Sequence, residues 1–430
     1  MKRTFALFTV LVIAGMVLAA CGPAATTVAP APTAAGPEPT APPAAFVCTD
    51  AIGCVDIAPG DPIHLAWAQT VSGATAPLGE DARGGTEIAI DDIGGELLGH
   101  PIEWTGEDTG CNAEGGQAAG TKLAADPTIV AIFGTTCSSE ARAAMPLISA
   151  AGMVMISAAN TNPDLTNPDH PDHWPGYLRT AHNDNFQGKI AAEFAYNELG
   201  VTTAATVHDG SPYAESLQRV FAENFTALGG TVTAQEAIAP EDTDMTGVLT
   251  SIAAGSPELI YYPIFEPAGG FFTDQAKGTP GLEDTVLMAA DGLFATTFGP
   301  NAGTAAIGMY MSGPYVAGDA YQELLAKWDA KFGGKPPSGY HAFGYDAGNI
   351  VFQAIEAVAV VDADCTVHIG RQALRDAMYG TTNFPGLTGN LSCDANGDCA
   401  TGEALAVYQF TEAEVTGGNF PPPVFWAPGQ

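Results

Sequence analysis

From about residue 61 onward, short apolar runs alternate with longer segments whose apolar residues recur at helical spacing. The run 63–68 predicts a strand, and 80–93 a helix with Ile88, Ile90 and Ile93 among its apolar positions. A short strand is expected at 102–104, an Ala-rich helix at 112–126 and a strand at 128–133. A helix at 138–151 and a strand at 153–157 follow. Regular strand–helix alternation specifies an α/β domain with a parallel sheet.

The pattern restarts after Arg179-Thr180. Helices are expected at 186–199, 213–228, 245–254 and 269–277, and strands at 204–208, 231–236, 259–265 and 285–289. These make a second α/β lobe. Near 308–314 the chain leaves it. The segments 320–332 and 347–361 then read as helices, and 404–410 as a strand.

Two of the apolar runs end in small hydroxyl residues just before a helix-like stretch: Ile132-Phe-Gly-Thr-Thr-Cys-Ser-Ser139 and Met155-Ile-Ser-Ala-Ala-Asn-Thr-Asn-Pro-Asp164. A strand end feeding a helix N-terminus offers free backbone N–H groups, hydroxyl donors and a positive dipole end. Two such ends side by side make a receptor for a small carboxylate. Ser138 and Thr161 are the candidate donors. The competing reading is that each only caps its own helix. No G-x-S-x-G elbow, phosphate-binding P-loop or G-x-G-x-x-G turn is present, so binding is favoured over catalysis. A Ser/His/Asp set scattered along the chain would escape this test, and an exported α/β hydrolytic enzyme stands as the alternative class.

The two segments resemble the carboxylate-binding loops of the leucine/isoleucine/valine-binding protein family, the type I solute-binding proteins of amino-acid ABC importers. Further segments of the same kind are Gly79-Glu-Asp81, Glu107-Asp-Thr-Gly-Cys111, His208-Asp-Gly-Ser-Pro-Tyr213, Asp242-Thr-Asp244, Asp291-Gly292 and Tyr345-Asp346. Each is weak alone; their order covers residues 61 to 410. The resemblance implies two doubly wound parallel-sheet lobes joined by a three-stranded hinge, with the ligand in the cleft. Residues 61–180 with 312–388 would form lobe 1, and 181–311 with 389–428 lobe 2.

On the same resemblance, Ser138 and Thr161 bind the carboxylate of a small, aliphatic amino acid, and the Ala159 carbonyl faces its ammonium. Asp291 pairs with that ammonium, although Asp-Gly is also a common turn. Tyr213 covers the ligand and Leu78 lines its side chain; both could equally be ordinary rim residues. Glu266 stands where the family often has tyrosines. It either adds negative charge to the cleft, favouring a cationic or amine-bearing ligand, or points to solvent. Amides, urea, short polyamines or an aromatic acid are the other ligand classes. A disulfide between Cys111 and Cys137 is implied as well. The partners implied are the permease subunits of the importer, with the binding protein acting as a monomer and needing no cofactor.

The chain start fits export. Lys2 and Arg3 precede an apolar run from Phe5 to Ala20, too short for a comfortable membrane span. Leu18-Ala-Ala-Cys21 resembles a bacterial lipobox, so residues 1–20 are a signal peptide and Cys21 the lipidated residue; an ordinary secreted protein cut near the Ala pair is the alternative. Residues 22–45 are nearly all Ala, Pro, Thr and Gly. They form a tether reaching roughly 75 Å at about 3.1 Å per residue. The tether region, 21–60, ends in a small loop closed by Cys48 and Cys54. The expected place is therefore outside the cytoplasm, at a membrane.

With 14 basic and 48 acidic residues and a net charge of −34, the chain lacks the basic stripes that nucleic acid requires. Cys393-Asp-Ala-Asn-Gly-Asp-Cys399 brackets an Asn-Gly turn, so its ends are expected to pair. Cys365 is left over, as a buried thiol or a competitor for Cys393. His170-Pro-Asp-His173 has the look of a metal pair without a third ligand, and Asp394, Asn396 and Asp398 echo a calcium loop but meet Leu405 where its glutamate belongs. No metal is expected.

Overall fold

A computed structural model describes residues 46–428 other than 401 and 403. The leader, Cys21 and the tether up to Ala45 lie outside the described residues. Among the described residues, regular structure is present before residue 61, the expected start of the folded part. Strand β1 (Cys54–Ile57) buries Val55 and Ile57 on one face. The 21–60 tether reading therefore fails for its last residues.

In lobe 1 the six-stranded sheet runs in the order β3-β4-β2-β5-β6-β7. Its strands are β2 (Ile63–Gln69), β3 (Glu96–Leu97), β4 (His100–Asp108), β5 (Ile129–Gly134), β6 (Met155–Ser157) and β7 (Tyr177–Arg179), all parallel except β3. β5 is buried at all six positions, as a central strand covered on both faces must be. β4 is longer than the apolar stretch 102–104 because its exposed face carries Glu103, Thr105 and Glu107. Helices α1 (Ala76–Asp92), α2 (Ala113–Ala124) and α3 (Ser138–Ala150) cover the sheet.

Lobe 2 opens with α4 (Asp184–Glu193), which continues as a π-helical turn through Glu198. Its sheet runs β18-β17-β12-β11-β10-β8-β9. The strands β8 (Thr203–His208), β9 (Thr231–Ala237), β10 (Leu259–Tyr262), β11 (Val286–Ala289) and β12 (Tyr310–Pro314) are parallel. β10 stops before Pro263, which has no N–H for the ladder. Helices α5 (Pro212–Ala227), α6 (Thr246–Ala254), α7 (Ala268–Ala276) and α8 (Phe298–Ala302) accompany it.

The chain then returns to lobe 1 as α9 (Asp319–Phe332) and α10 (His341–Val358). α10 crosses α1 at contact distance. A Cβ on Gly85 would stand 1.8 Å from the His341 carbonyl oxygen, and one on Gly344 2.0 Å from that of Ala82. β13 (Val360–Val361) and β14 (Val367–Gly370) join β1 in a small sheet ordered β1-β14-β13. α11 (Arg371–Tyr379) was not expected, because its buried face carries Arg371 and Arg375. Arg371 donates to the carbonyls of Ile129 and Pro127, and Arg375 to those of Ser149 and Met153. These arginines cap main-chain groups of lobe 1.

The hairpin β15 (Phe384–Gly386) and β16 (Gly389–Leu391) packs on lobe 1, where Leu391 and Cys399 share a core with Ile156 and Leu178. The return to lobe 2, expected at 389, therefore falls after Cys399. Likewise β12 stays in the second sheet to Pro314, so that crossing comes after 314 rather than 311. β17 (Leu405–Gln409), α12 (Glu412–Thr416) and β18 (Val424–Trp426) complete lobe 2. The crossing segments are linked: Arg179 bridges Asp398, and the Tyr315 N–H donates to the Ala404 carbonyl at 2.9 Å.

Three disulfides form, Cys48–Cys54, Cys111–Cys137 and Cys393–Cys399. Cys365 is free but exposed, in contrast to the buried thiol expected. It sits at φ 71° in the turn between β13 and β14, where the core does not reach.

Candidate functional site

The C-terminal ends of β5 and β6 place the two hydroxyl loops together. After β5, Cys137 is the N-cap of α3 and Ser138 its first residue. Glu140, three residues on and fully buried, turns back on the loop. It accepts from the N–H groups of Thr136 and Cys137 at 3.0 and 2.7 Å, from that of Cys111 at 2.6 Å and from the Thr70 hydroxyl at 2.6 Å. Burial raises the Glu140 pKa, against these bonds, which lower it. The backbone donors of 136 and 137 are thus consumed internally. What remains for a ligand is the N–H groups of Ser138 and Ser139 at the start of α3, since that of Glu140 donates to the Cys137 carbonyl at 3.1 Å, and the Ser138 hydroxyl. That hydroxyl accepts from the Asn162 N–H at 3.3 Å, which leaves its own proton to donate.

After β6, the Ser157 hydroxyl accepts from the N–H groups of Ala159 and Asn160 and donates to the Thr135 carbonyl at 2.7 Å. One side chain therefore locks the second loop to the first. Arg179, fully buried, holds the same loop from beneath through the carbonyls of Asn160 and Asn162.

Lobe 2 supplies the opposite wall. Asp291 follows β11 and is 1% exposed. Its Oδ1 accepts from the Tyr213 hydroxyl at 2.7 Å and Gln187 Nε2 at 2.8 Å, and its Oδ2 from the Tyr340 hydroxyl. Burial, and after it the Asp291 charge, pushes both phenols well above their ordinary pKa, so they stay protonated donors. His182 lies 3.7 Å away, but burial lowers its pKa and keeps it neutral at pH 7. Among the described residues no Lys or Arg lies within 4 Å of Asp291. A buried carboxylate ringed by neutral donors lacks a countercharge. Asp184, on α4, is fully buried too, and burial followed by the Asp291 charge drives its pKa well above the carboxylate range.

These groups surround one cavity between the lobes. Leu78, Ser138, Ala159 and Thr161 line it from lobe 1, and Tyr213 and Asp291 from lobe 2. Six of the seven residues singled out in the sequence are brought together. Glu266 is not among them: its carboxylate turns to the Thr297 hydroxyl at 2.8 Å and Asn301 Nδ2 at 3.3 Å. Its neighbour Phe265 lines the cavity instead, its ring 4.9 Å from that of Tyr213. Tyr340 also lines it and had no local signal. The cavity volume is about 10 Å³, room for a single water. Gly292 makes the fit close. A Cβ there would stand 3.0 Å from the Ile264 carbonyl oxygen, the Phe265 ring and the Tyr213 ring.

The Cys111–Cys137 disulfide spans 26 residues and fixes the loop that carries Ser138. Replacing both cysteines by serine is expected to lower the unfolding free energy by about 3 kcal/mol and to weaken solute binding with it. Denaturant midpoints and calorimetry check this; unchanged values for both would show the loop held by Glu140 alone. At the two metal-like stretches His170, Asp394 and Asp398 are otherwise engaged. His170 lies between Asp164 and Asp172. Asp394 accepts from the N–H groups of Asn396 and Asp398, and Asp398 pairs with Arg179.

Comparison with known proteins agrees with this architecture. Residues 62–418 match the family described as periplasmic binding protein. The chain is 27% identical over 346 residues to the leucine-, isoleucine-, valine-, threonine- and alanine-binding protein of Pseudomonas aeruginosa, covering 79% of this chain and 87% of that one. Among solved structures, the branched-chain amino-acid substrate-binding protein LivJ of Streptococcus pneumoniae, in complex with isoleucine, superposes with a TM-score of 0.71 at 23% identity, covering 85% and 99% of the two chains. A solute-binding protein from R. palustris, in complex with benzoate, gives a TM-score of 0.71 at 21% identity, with 85% and 96% covered. No helix among the described residues is long and apolar enough to cross a membrane. The chain belongs to the periplasmic binding protein family, extracytoplasmic solute-binding proteins of type I fold rather than enzymes.

Proposed function

We propose that the cleft binds a zwitterionic aliphatic α-amino acid and delivers it to the permease of an ABC importer. The observation that carries this reading is Asp291, a buried carboxylate with neutral donors around it and no cation beside it. An α-ammonium supplies the missing charge, assisted by the Ala159 carbonyl. The ligand carboxylate is received by the Ser138 hydroxyl and N–H, the Thr161 hydroxyl and the α3 N-terminus. Leu78 and Phe265 face its side chain. Opposite ends of the zwitterion then engage opposite lobes, so binding favours closure through contacts made only when closed. An aromatic acid without an amine would leave Asp291 uncompensated, which disfavours the benzoate type of ligand.

Calorimetry on unfolded, stripped and refolded protein is the test. Leucine, isoleucine, valine or alanine should bind stoichiometrically without turnover. Binding of an amide, polyamine or benzoate in their place would overturn the substrate assignment. Turnover of an amino-acid derivative would overturn the function itself.

The protein acts as a monomer tethered to the membrane through lipid on Cys21, a reading supported by the Leu18-Ala-Ala-Cys21 stretch. Cys21→Ala is expected to abolish lipid labelling and release the protein from membranes. Labelling that persists in that variant would remove the anchor.

A further inference from the structure

A second cavity, of about 590 Å³, lies behind the wall of the principal cleft. The wall is made of two segments, one from each lobe. From lobe 2 come residues 291–294, where Asp291 faces the principal cleft and Phe294 the second cavity. From lobe 1 comes the loop 338–341, where Tyr340 faces the principal cleft while Ser338 and His341 face the second cavity. The two segments are bonded to each other. The Ser338 hydroxyl donates to the Phe294 carbonyl at 2.6 Å, and the Thr296 N–H to the Pro337 carbonyl at 2.9 Å. Asp81 on α1 anchors the loop, accepting from the N–H groups of Ser338, Tyr340 and His341.

The remaining walls are apolar and aromatic. Tyr321 and Leu325 come from α9, and Tyr408, Phe420 and Pro421 from lobe 2, with the crossing segment 314–316 between them. The volume falls in the range of small-molecule sites, and such sites combine apolar walls with a few placed polar groups. Besides tyrosines, one histidine, one aspartate and one lysine face it. His341 is spent on Asp81 and the Tyr321 hydroxyl. Asp329 accepts from the Gly334 N–H at 2.7 Å. Lys335 has only the Phe420 carbonyl, at 3.2 Å, and among the described residues no carboxylate within 4 Å. Lys335 is thus an exposed cation lining an aromatic cavity, with its charge uncompensated by any carboxylate there.

We propose that this cavity is a second ligand site, for an aromatic organic anion held between the lobes with its charge on Lys335. The site is separate from the principal cleft and stands whichever solute that cleft takes.

The test is calorimetric titration of the whole protein with 8-anilinonaphthalene-1-sulfonate and with its uncharged analogue N-phenyl-1-naphthylamine. One equivalent of each is expected to bind. Lys335→Ala should weaken the sulfonate about tenfold, the usual weight of a charge-assisted hydrogen bond, and the neutral analogue less than twofold. Leu325→Trp, which puts an indole into the cavity where the probe's rings would lie, should weaken both at least tenfold. Ser138→Ala in the principal cleft should change neither. Lys335 is exposed, so its variant folds and keeps the test decisive. Absence of stoichiometric binding would overturn the proposal. So would sensitivity to Ser138→Ala with indifference to Lys335→Ala and Leu325→Trp, which would place the probe in the principal cleft. Equal losses of both compounds in Lys335→Ala would overturn the anionic assignment.

Discussion

Asp291→Ala is expected to weaken binding of the cleft amino acid about a hundredfold or more. The carboxylate is 1% exposed and its neighbours are uncharged, so its attraction for an ammonium is little screened by water. Removing it also orphans the hydroxyls of Tyr213 and Tyr340, which then compete for whatever acceptor the ligand offers. Asp291→Asn separates the two effects. The amide oxygen still accepts from a phenol while the charge is gone, so a loss close to that of the alanine variant assigns the effect to charge. Titration of stripped protein with the solute it binds best is the measurement. Unchanged affinity in both variants would mean that the ammonium, if the ligand has one, is held elsewhere.

Ser138 and Thr161 are legible from local segments, apolar runs that end in hydroxyl residues before a helix, whereas Tyr213 and Asp291 are legible through the resemblance of their own short segments to those of the solute-binding family. The same locality explains what escaped. Phe265 and Glu266 are adjacent, and the chain leaves β10 at Pro263, before strand alternation could say which of them faces the cleft. Tyr340 enters from the loop before α10, 49 residues from the carboxylate it donates to. No periodicity in its own segment marks it. Backbone N–H groups at 136 and 137 read as free donors in the sequence. The side chain of Glu140 takes them both, a choice between ligand and self that hydroxyl-rich loops do not advertise. α11 was missed because its inward face is marked by arginines, whose partners are carbonyls more than 200 residues away. The lobe crossings at 314 and after 399 came out displaced for a related reason. Strand pairing to Pro314 and the packing of Leu391 and Cys399 are long-range facts.

Arg179 carries the second large expectation. Its side chain is fully buried and donates to the Asp398 carboxylate, to the Thr166 hydroxyl and to the carbonyls of Asn160 and Asn162. It thereby ties together the end of β7, the loop that bears Ala159 and Thr161, and the last crossing segment. Arg179→Met keeps much of the volume but takes the countercharge from Asp398, which keeps only the Thr166 hydroxyl and the Asn183 amide, and the donor from two carbonyls, and should cost about 3–5 kcal/mol of stability. Solute affinity should fall with it, because the 159–162 loop loses its support. The pair also has a pH signature. Burial works to raise the Asp398 pKa, but Arg179, with the Asn183 and Thr166 side chains, holds the carboxyl below its ordinary value. A depressed folded pKa stabilises above the unfolded value of about 3.9, and that share is lost as pH falls through the folded one. Urea midpoints for the parent, Arg179→Met, Asp398→Asn and the double variant should show a coupling at pH 7 that shrinks below about pH 4. A coupling near zero at pH 7, or one that grows on acidification, would mean that the pair contributes nothing to holding the loop and hinge together.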